Sequence, residues 1–288
     1  MTPGDCLAVL AEQRLLPPDR QATYLSGVDG PADPVEATVV VAGSHRDQIG
    51  GLVGAGAGRA GRWPGPRRSC YRGDRRWDVD FWADDEVDRL LRAVSWQALE
   101  SGRSVGMTLR RYELEFVQRL GTARVVEGRD WVRRRQQDFT GSAVRTMVTT
   151  QLLMTLDRER ERARQLLAVG DPEGAVLAAR AAVGTAVDAV LATRGTVVAE
   201  PARRTARLRQ LARVSQPSGG ADRRPHPPTI ERLALGPPAA GPGFAPDPPA
   251  AEDYWRLETM RDLDPAAPAG WVSAALSFCA RTTDGLQP

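Results

Sequence analysis

The clearest β-strand patterns lie in the first third of the chain. Residues 35–42 (VEATVVVA) are a β-branched apolar run between Pro34 and Gly43, and a shorter strand begins at Tyr24 and Leu25. In a third segment, 75–82, Trp77, Val79 and Phe81 alternate with polar residues. Because side chains alternate across a strand, Asp78 and Asp80 share one face there. The pattern predicts a half-buried sheet in which the first two strands form a hairpin.

The remaining periodicity is that of helices. An early apolar stripe ends at Pro17 and Pro18, and Asp171 followed by Pro172 is a typical helix start. Gly195 supplies the stop of that helix, whose Ala-rich face indicates close helix packing. Helices are predicted over 5–14, 84–99, 112–120, 131–139, 143–169, 172–194, from 201 onward, 253–263 and 268–281.

These elements predict an α+β fold in two parts. A small mixed β-sheet domain covers residues 1–130, and an all-helical domain covers 131–288. Residues 215–251 are rich in Pro and Gly, which indicates a long loop with a short helix inside it.

Composition narrows the function classes. The chain has 39 basic and 36 acidic residues in 288, and every basic residue is Arg, which is typical of a GC-rich bacterial coding sequence. The basic pI is therefore weak evidence for a nucleic-acid partner. We expect no membrane segment and a cytoplasmic protein, because no long uninterrupted apolar run and no secretory signal are present. The three cysteines are widely spaced, which indicates neither a disulfide framework nor a zinc site.

Three further patterns are weak signals. The Gly-rich stretch 50–61 contains one G-x-G-x-x-G, but Trp63 and Pro64 follow at once, so we interpret it as a loop and not as a dinucleotide-binding turn. His45 and His226 lie in loop-like segments without a recognisable catalytic partner. The Arg cluster 133–135 is typical of a solvated helix face.

The strongest chemical candidate is the pair Asp78 and Asp80. Two carboxylates on one strand face suit a divalent metal held beside phosphate oxygens. The alternative is an ordinary charged strand face, which Arg75 and Arg76 would neutralise.

The order of elements resembles the polymerase-beta-like nucleotidyltransferases, in particular bacterial small-molecule enzymes with a helical C-terminal domain. The resemblance rests on TYLSG at 23–27, VEATVVV at 35–41, WDVDFW with DDEVDRLL at 77–91, and the segment 110–132, and the helical part at 171–195 is similar as well. It implies a nucleotide held with Mg²⁺, and it makes Gly27 and Asp29 candidate cofactor-binding residues and Asp78 and Asp80 candidate metal ligands.

The chain departs from that family's pattern at the metal site. Val28 stands where the resemblance implies Ser, and the nearby acids Asp33 and Glu36 are three residues apart, which sends side chains to opposite strand faces. The first hypothesis is therefore a scaffold with a decayed metal site and no catalysis, which binds a small molecule or a protein partner and needs no cofactor.

Two rival hypotheses stay open. One is an active metal-dependent nucleotidyltransferase in which Asp78 and Asp80 hold the metal and Asp29 or Asp33 approaches from the loop. The other is a nucleic-acid-binding module that uses the Arg-rich helices, which predicts affinity that falls steeply with salt.

Overall fold

The computed structural model describes residues 3–26, 35–43, 67–102, 109–198, 204–215, 251–284 and 286. The protein is α+β, as predicted, with a five-stranded mixed sheet in the N-terminal part and mostly helices after it. The described residues divide into two compact units, one up to Ala143 and one from Val144 onward. The expected domain boundary at 130/131 falls at the start of a helix that belongs to the first unit.

The first unit contains the sheet. Its strands are β1 (Arg20–Ser26), β2 (Val35–Val41), β3 (Arg67–Arg72), β4 (Arg75–Ala83) and β5 (Arg124–Glu127). They are arranged in the order β3-β4-β2-β1-β5, and the β2–β4 pair is parallel whereas the other pairs are antiparallel. The predicted β1–β2 antiparallel pair is confirmed.

One face of this sheet is apolar. Helix α1 (Pro3–Glu12) contributes Val9 and Leu10 to a buried cluster that also contains Val39, Val79 and Phe81 from the central strands. These strand residues alternate with the polar ones, so the opposite face carries the acids. Because the hydrophobic effect buries the apolar face, the opposite face with the acids is the one that can form a functional site.

Four further helices are described in the first unit, and the last two pack on the acidic face. They are α2 (Asp84–Ala93), α3 (Trp96–Glu100), α4 (Arg111–Gly121) and α5 (Arg129–Thr140). Trp82 of β4 contacts Phe116 of α4 with ring centroids 4.2 Å apart, and Phe116 in turn meets Phe139 of α5. This aromatic chain holds α4 against the sheet.

The second unit is helical. Its helices are α6 (Val144–Ala168), α7 (Pro172–Thr193), α8 (Arg204–Ser215), α9 (Ala251–Glu258) and α10 (Pro268–Thr283). The apolar core of this unit combines the Ala-rich α7 with Leu156 of α6 and with Trp271 and Phe278 of α10. The Asp171 side chain accepts a hydrogen bond from the Gly174 amide at 2.9 Å, so the predicted start of α7 is confirmed.

Helix α7 is the one described helix that is long and apolar enough to cross a membrane. Its most apolar window is 78% buried inside the protein, and a core helix meets the same criteria, so its sequence is weak evidence for a membrane span.

Two predictions about elements are wrong. The sequence indicates three strands, but the sheet also contains β3 and β5. The helix predicted over 84–99 is interrupted between Ala93 and Trp96, where the Ser95 hydroxyl caps α3 by accepting from the Ala98 amide.

Candidate functional site

Three acidic side chains meet on the polar face of the sheet. In the parallel β2–β4 ladder, Glu36 lies opposite Asp78 and Thr38 lies opposite Asp80. Side chains of ladder neighbours project to the same side, so the two predicted metal ligands share their face with Glu36. Glu36, Asp78 and Asp80 are only 5%, 8% and 9% exposed.

Arg119 of α4 connects the two central strands at this face. Its Nη1 donates to Asp80 Oδ2, and its Nη2 lies 3.5 Å from Glu36 Oε1. The arginine is itself only 5% exposed. A buried guanidinium thus supplies the positive charge between two buried carboxylates.

A second guanidinium reaches Asp80 from the edge of the sheet. Arg67 of β3 donates through Nε to Asp80 Oδ1 at 2.7 Å and through Nη2 to Oδ2 at 3.1 Å. The same Nη2 lies 2.9 Å from Glu115 Oε2 on α4. Both oxygens of Asp80 therefore accept hydrogen bonds from arginines.

Asp78 has its own side-chain partners, one on β3 and one on its own strand. Its Oδ1 accepts a hydrogen bond from the Ser69 hydroxyl at 2.5 Å and one from Arg76 Nε at 2.9 Å. Arg76 therefore neutralises Asp78, as the sequence suggested in the alternative to a metal site.

Ion pairs connect the described acids of this face with arginines. Four carboxylates contact four guanidinium groups: Glu36, Asp78, Asp80 and Glu115 with Arg67, Arg76, Arg111 and Arg119. Within the described ranges no group of three or more His, Cys, Asp or Glu side chains is placed to hold a metal ion. Glu36, Asp78 and Asp80 are the residues that could contribute to one, and Arg119 already contacts two of them, Glu36 and Asp80.

Two neutral hydroxyl groups, of Tyr24 and Thr38, also lie on this face. Tyr24 of β1 lies opposite Thr38 and is fully buried. Burial raises the pKa of the Tyr24 phenol, while the Thr38 hydroxyl and the charge of Arg119 act in the opposite direction. Tyr24 therefore stays neutral and adds no charge for a cation to use.

The structure does not describe the other predicted site residues. Gly27, Asp29 and Asp33 are outside the described residues, as are both histidines and the Gly-rich stretch 50–61. Those predictions stay predictions.

The Arg cluster on α5 is partly engaged within the first unit. Arg135 Nη2 donates to Asp84 Oδ1 at 2.8 Å and lies 2.6 Å from Asp88 Oδ1. The indole Nε1 of Trp131, whose ring lies against the Arg135 guanidinium, donates to the same Asp84 oxygen at 3.0 Å. Arg135 is therefore not free to meet a phosphate.

The sequence did not place Glu36 beside Asp78, and it did not identify Arg119 as a residue of this site. One signal existed for each residue. Glu36 is an acid inside an apolar strand, and Arg119 lies beside Leu120 and three residues after Phe116, within a buried helical stripe. A charged residue at an apolar position of the pattern is an indication of a buried partner.

Comparisons with known proteins give little more. No protein-family model matches the chain, and no curated protein matches it. Among solved structures, the chain is distantly similar to a nucleotidyltransferase-like protein from Exiguobacterium sibiricum 255-15, with 12% identity, a TM-score of 0.43, and coverage of 98% of this chain and 74% of that one.

Proposed function

We propose that this protein is a nucleotidyltransferase-like scaffold whose metal site has decayed and which acts by binding, with a small molecule or a protein as its partner. The observation that carries the proposal is Arg119, which contacts both Glu36 and Asp80 on the acidic face of the sheet.

A divalent cation needs carboxylate oxygens with free lone pairs converging on one point. On this face the oxygens of Asp80 accept from Arg67 and Arg119, and Glu36 lies beside Arg119 as well. A metal would have to enter next to a guanidinium that is already buried. Removing one member of a buried ion pair leaves an uncompensated charge, so the arrangement opposes metal entry.

Among the described residues of this face, the arginines that could stabilise a phosphoryl transfer are already engaged by carboxylates. Such catalysis depends on positive charge placed at the phosphate oxygens, usually metal ions held by free carboxylates. Here the arginines Arg67 and Arg76 are engaged by Asp80 and Asp78. The charge on this face stabilises the fold, which supports a binding role over a catalytic one.

The test is a titration of the full chain with Mn²⁺ and with Mn²⁺ plus ATP. We expect neither saturable Mn²⁺ binding that depends on Asp80 nor hydrolysis of ATP to AMP and pyrophosphate, in which water is the acceptor of the nucleotidyl group. Asp80→Asn removes the acid at the centre of the face, and Asp88→Asn is a matched control on α2. Tight Mn²⁺ and ATP binding with pyrophosphate release, lost in Asp80→Asn and kept in Asp88→Asn, would overturn the proposal in favour of an active transferase.

The same sample tests the nucleic-acid alternative. Binding to a labelled RNA or DNA oligonucleotide with a steep decrease in affinity as salt rises would favour that alternative, because phosphate contacts release counterions. We expect no such salt-dependent binding.

A further inference from the structure

The second unit contains an open groove of about 410 Å³ between α6 and α10. Its lining combines charge, hydroxyl groups and apolar surface, and it includes Arg160, Arg164, Leu167, Ser273, Leu276 and Ser277. All these residues belong to the second unit, so the groove is independent of the acidic face described above.

The two arginines are one helical turn apart and share one face of α6. Residues four apart on a helix are surface neighbours, so two positive charges lie side by side at the groove. Each arginine has an acidic neighbour on its own helix: Arg160 Nη1 lies 3.6 Å from Asp157, and Arg164 Nη1 lies 3.6 Å from Glu161. These separations are longer than hydrogen bonds.

The donors of Arg160 are underused within the described part of the chain. Its Nε is buried and has no hydrogen-bond partner there, and the side chain is only 23% exposed. Its ion-pair partner Asp157 is 76% exposed, so that pair is weak. Because Nε is buried, an anion in the groove would meet Arg160 through its terminal Nη groups, in competition with the weak pair to Asp157.

Hydroxyl groups and apolar side chains complete the lining of the groove. Ser273 and Ser277 are also one turn apart and are exposed on α10. Leu167 and Leu276 are partly buried and pack against the apolar core of the second unit. The groove thus offers positive charge, hydroxyl donors and an apolar surface to one ligand.

We propose that this groove binds a small organic anion with one oxyanion head, a carboxylate or a phosphate, and an apolar body. The head pairs with Arg160 and Arg164, and the body lies against Leu167 and Leu276. The volume is at the lower end of the usual range for ligand sites, roughly 300–1,000 Å³, so the ligand is a small molecule and not a polymer.

The experiment is calorimetric titration of the full chain with four probes. Octanoate and octyl phosphate carry the two candidate heads, octanol has the same body without charge, and inorganic phosphate is a head alone. We expect saturable binding of at least one charged amphiphile, at least about tenfold tighter than octanol or inorganic phosphate, because charge-assisted hydrogen bonds and apolar contact act together. The better of the two charged probes identifies the head.

Variants locate the binding. Arg160→Gln and Arg164→Gln remove one positive charge each from the groove, and Arg162→Gln removes an exposed one from the same helix. We expect about tenfold weaker binding for each groove variant and unchanged binding for Arg162→Gln. Thermal unfolding of each variant confirms that it is folded, and the single change at exposed Arg164 suffices if Arg160→Gln unfolds. Equal binding of octanol, no saturable binding of any charged probe, or equal affinities in all folded variants would overturn the proposal.

Discussion

Glu36 of β2 lies directly opposite Asp78 of β4 in the parallel ladder, with both side chains on the polar face of the sheet. Like charges at neighbouring ladder positions repel each other, and here both acids are buried. The arginines of this face offset that repulsion. Their contribution to stability can be measured one side chain at a time.

Arg119→Met should destabilise the first unit strongly. The substitution keeps an apolar side chain of similar length but leaves Glu36 and Asp80 with one fewer buried cation. Breaking a buried ion pair costs about 3–5 kcal/mol, so the free energy of unfolding in denaturant should fall by that amount.

The matched control is Arg111→Met on the same helix. Arg111 also pairs with a carboxylate, that of Glu115, but its side chain is 70% exposed. An exposed pair four residues apart contributes about 0.3–0.5 kcal/mol. Similar losses for the two variants would contradict the buried role of Arg119.

Much of the secondary structure could be predicted from the sequence, whereas the site could not. Strand β2 is a continuous β-branched run and β4 has clear alternation, so local pattern suffices for both. Strand β3 is polar and largely exposed, and β5 has only 4 residues, so neither gives a local signal.

The site depends on contacts between distant segments. That β2 pairs with β4 in parallel, in the register that sets Glu36 against Asp78, is a tertiary property. The contact of Arg119 with Asp80 spans 39 positions along the chain. Periodicity assigns a residue to a face of its own element but does not say which element covers that face.

Gly128→Ala should be much more costly than Gly73→Ala. Both glycines have positive φ, +74° and +63°, so each alanine pays a similar backbone penalty of about 1–2 kcal/mol. A Cβ at Gly128 would also collide with the backbone of Gln21 and Ala22 in β1, whereas a Cβ at Gly73 meets nothing within 4 Å. Chemical denaturation of the two variants checks this difference. Equal losses would show that the contact between Gly128 and β1 is not tight.

One thiol should react much faster than the other two in the folded protein. Burial raises the pKa of Cys6 to about 11 and that of Cys279 to about 12, and both side chains are fully buried. Cys70 is partly exposed on β3, although burial and then Asp78 raise its pKa as well. Reactivity follows the accessible thiolate, so a disulfide reagent at pH 8 should titrate one thiol quickly and all three in denaturant.

Cys70→Ser is the control for that assignment. The variant should lose the fast phase and keep the two slow thiols. Persistence of a fast phase would mean that Cys6 or Cys279 is accessible.

Tyr254 should make the second unit lose stability at alkaline pH. Burial raises the pKa of its phenol from 10.0 to about 12, the charge of Glu258 acts in the same direction, and Arg204 opposes both. A group whose pKa is raised by folding contributes stability that is fully present below pH 10 and is lost as pH rises through about 12. A shift of 2 units corresponds to about 2–3 kcal/mol.

The chain suits this measurement because it contains no lysine, whose ammonium group would also lose its proton at alkaline pH. Denaturant unfolding of the parent and of Tyr254→Phe between pH 9 and pH 12 isolates the Tyr254 contribution, and Tyr71→Phe, at a 64% exposed position, is the matched control. Tyr254→Phe also removes a contact with Arg204, which lowers stability at every pH, so the slope against pH is the quantity compared. The parent and Tyr71→Phe should lose stability more steeply than Tyr254→Phe across this window. Parallel slopes for all three proteins would mean that the Tyr254 phenol ionises equally well in the folded and unfolded chain.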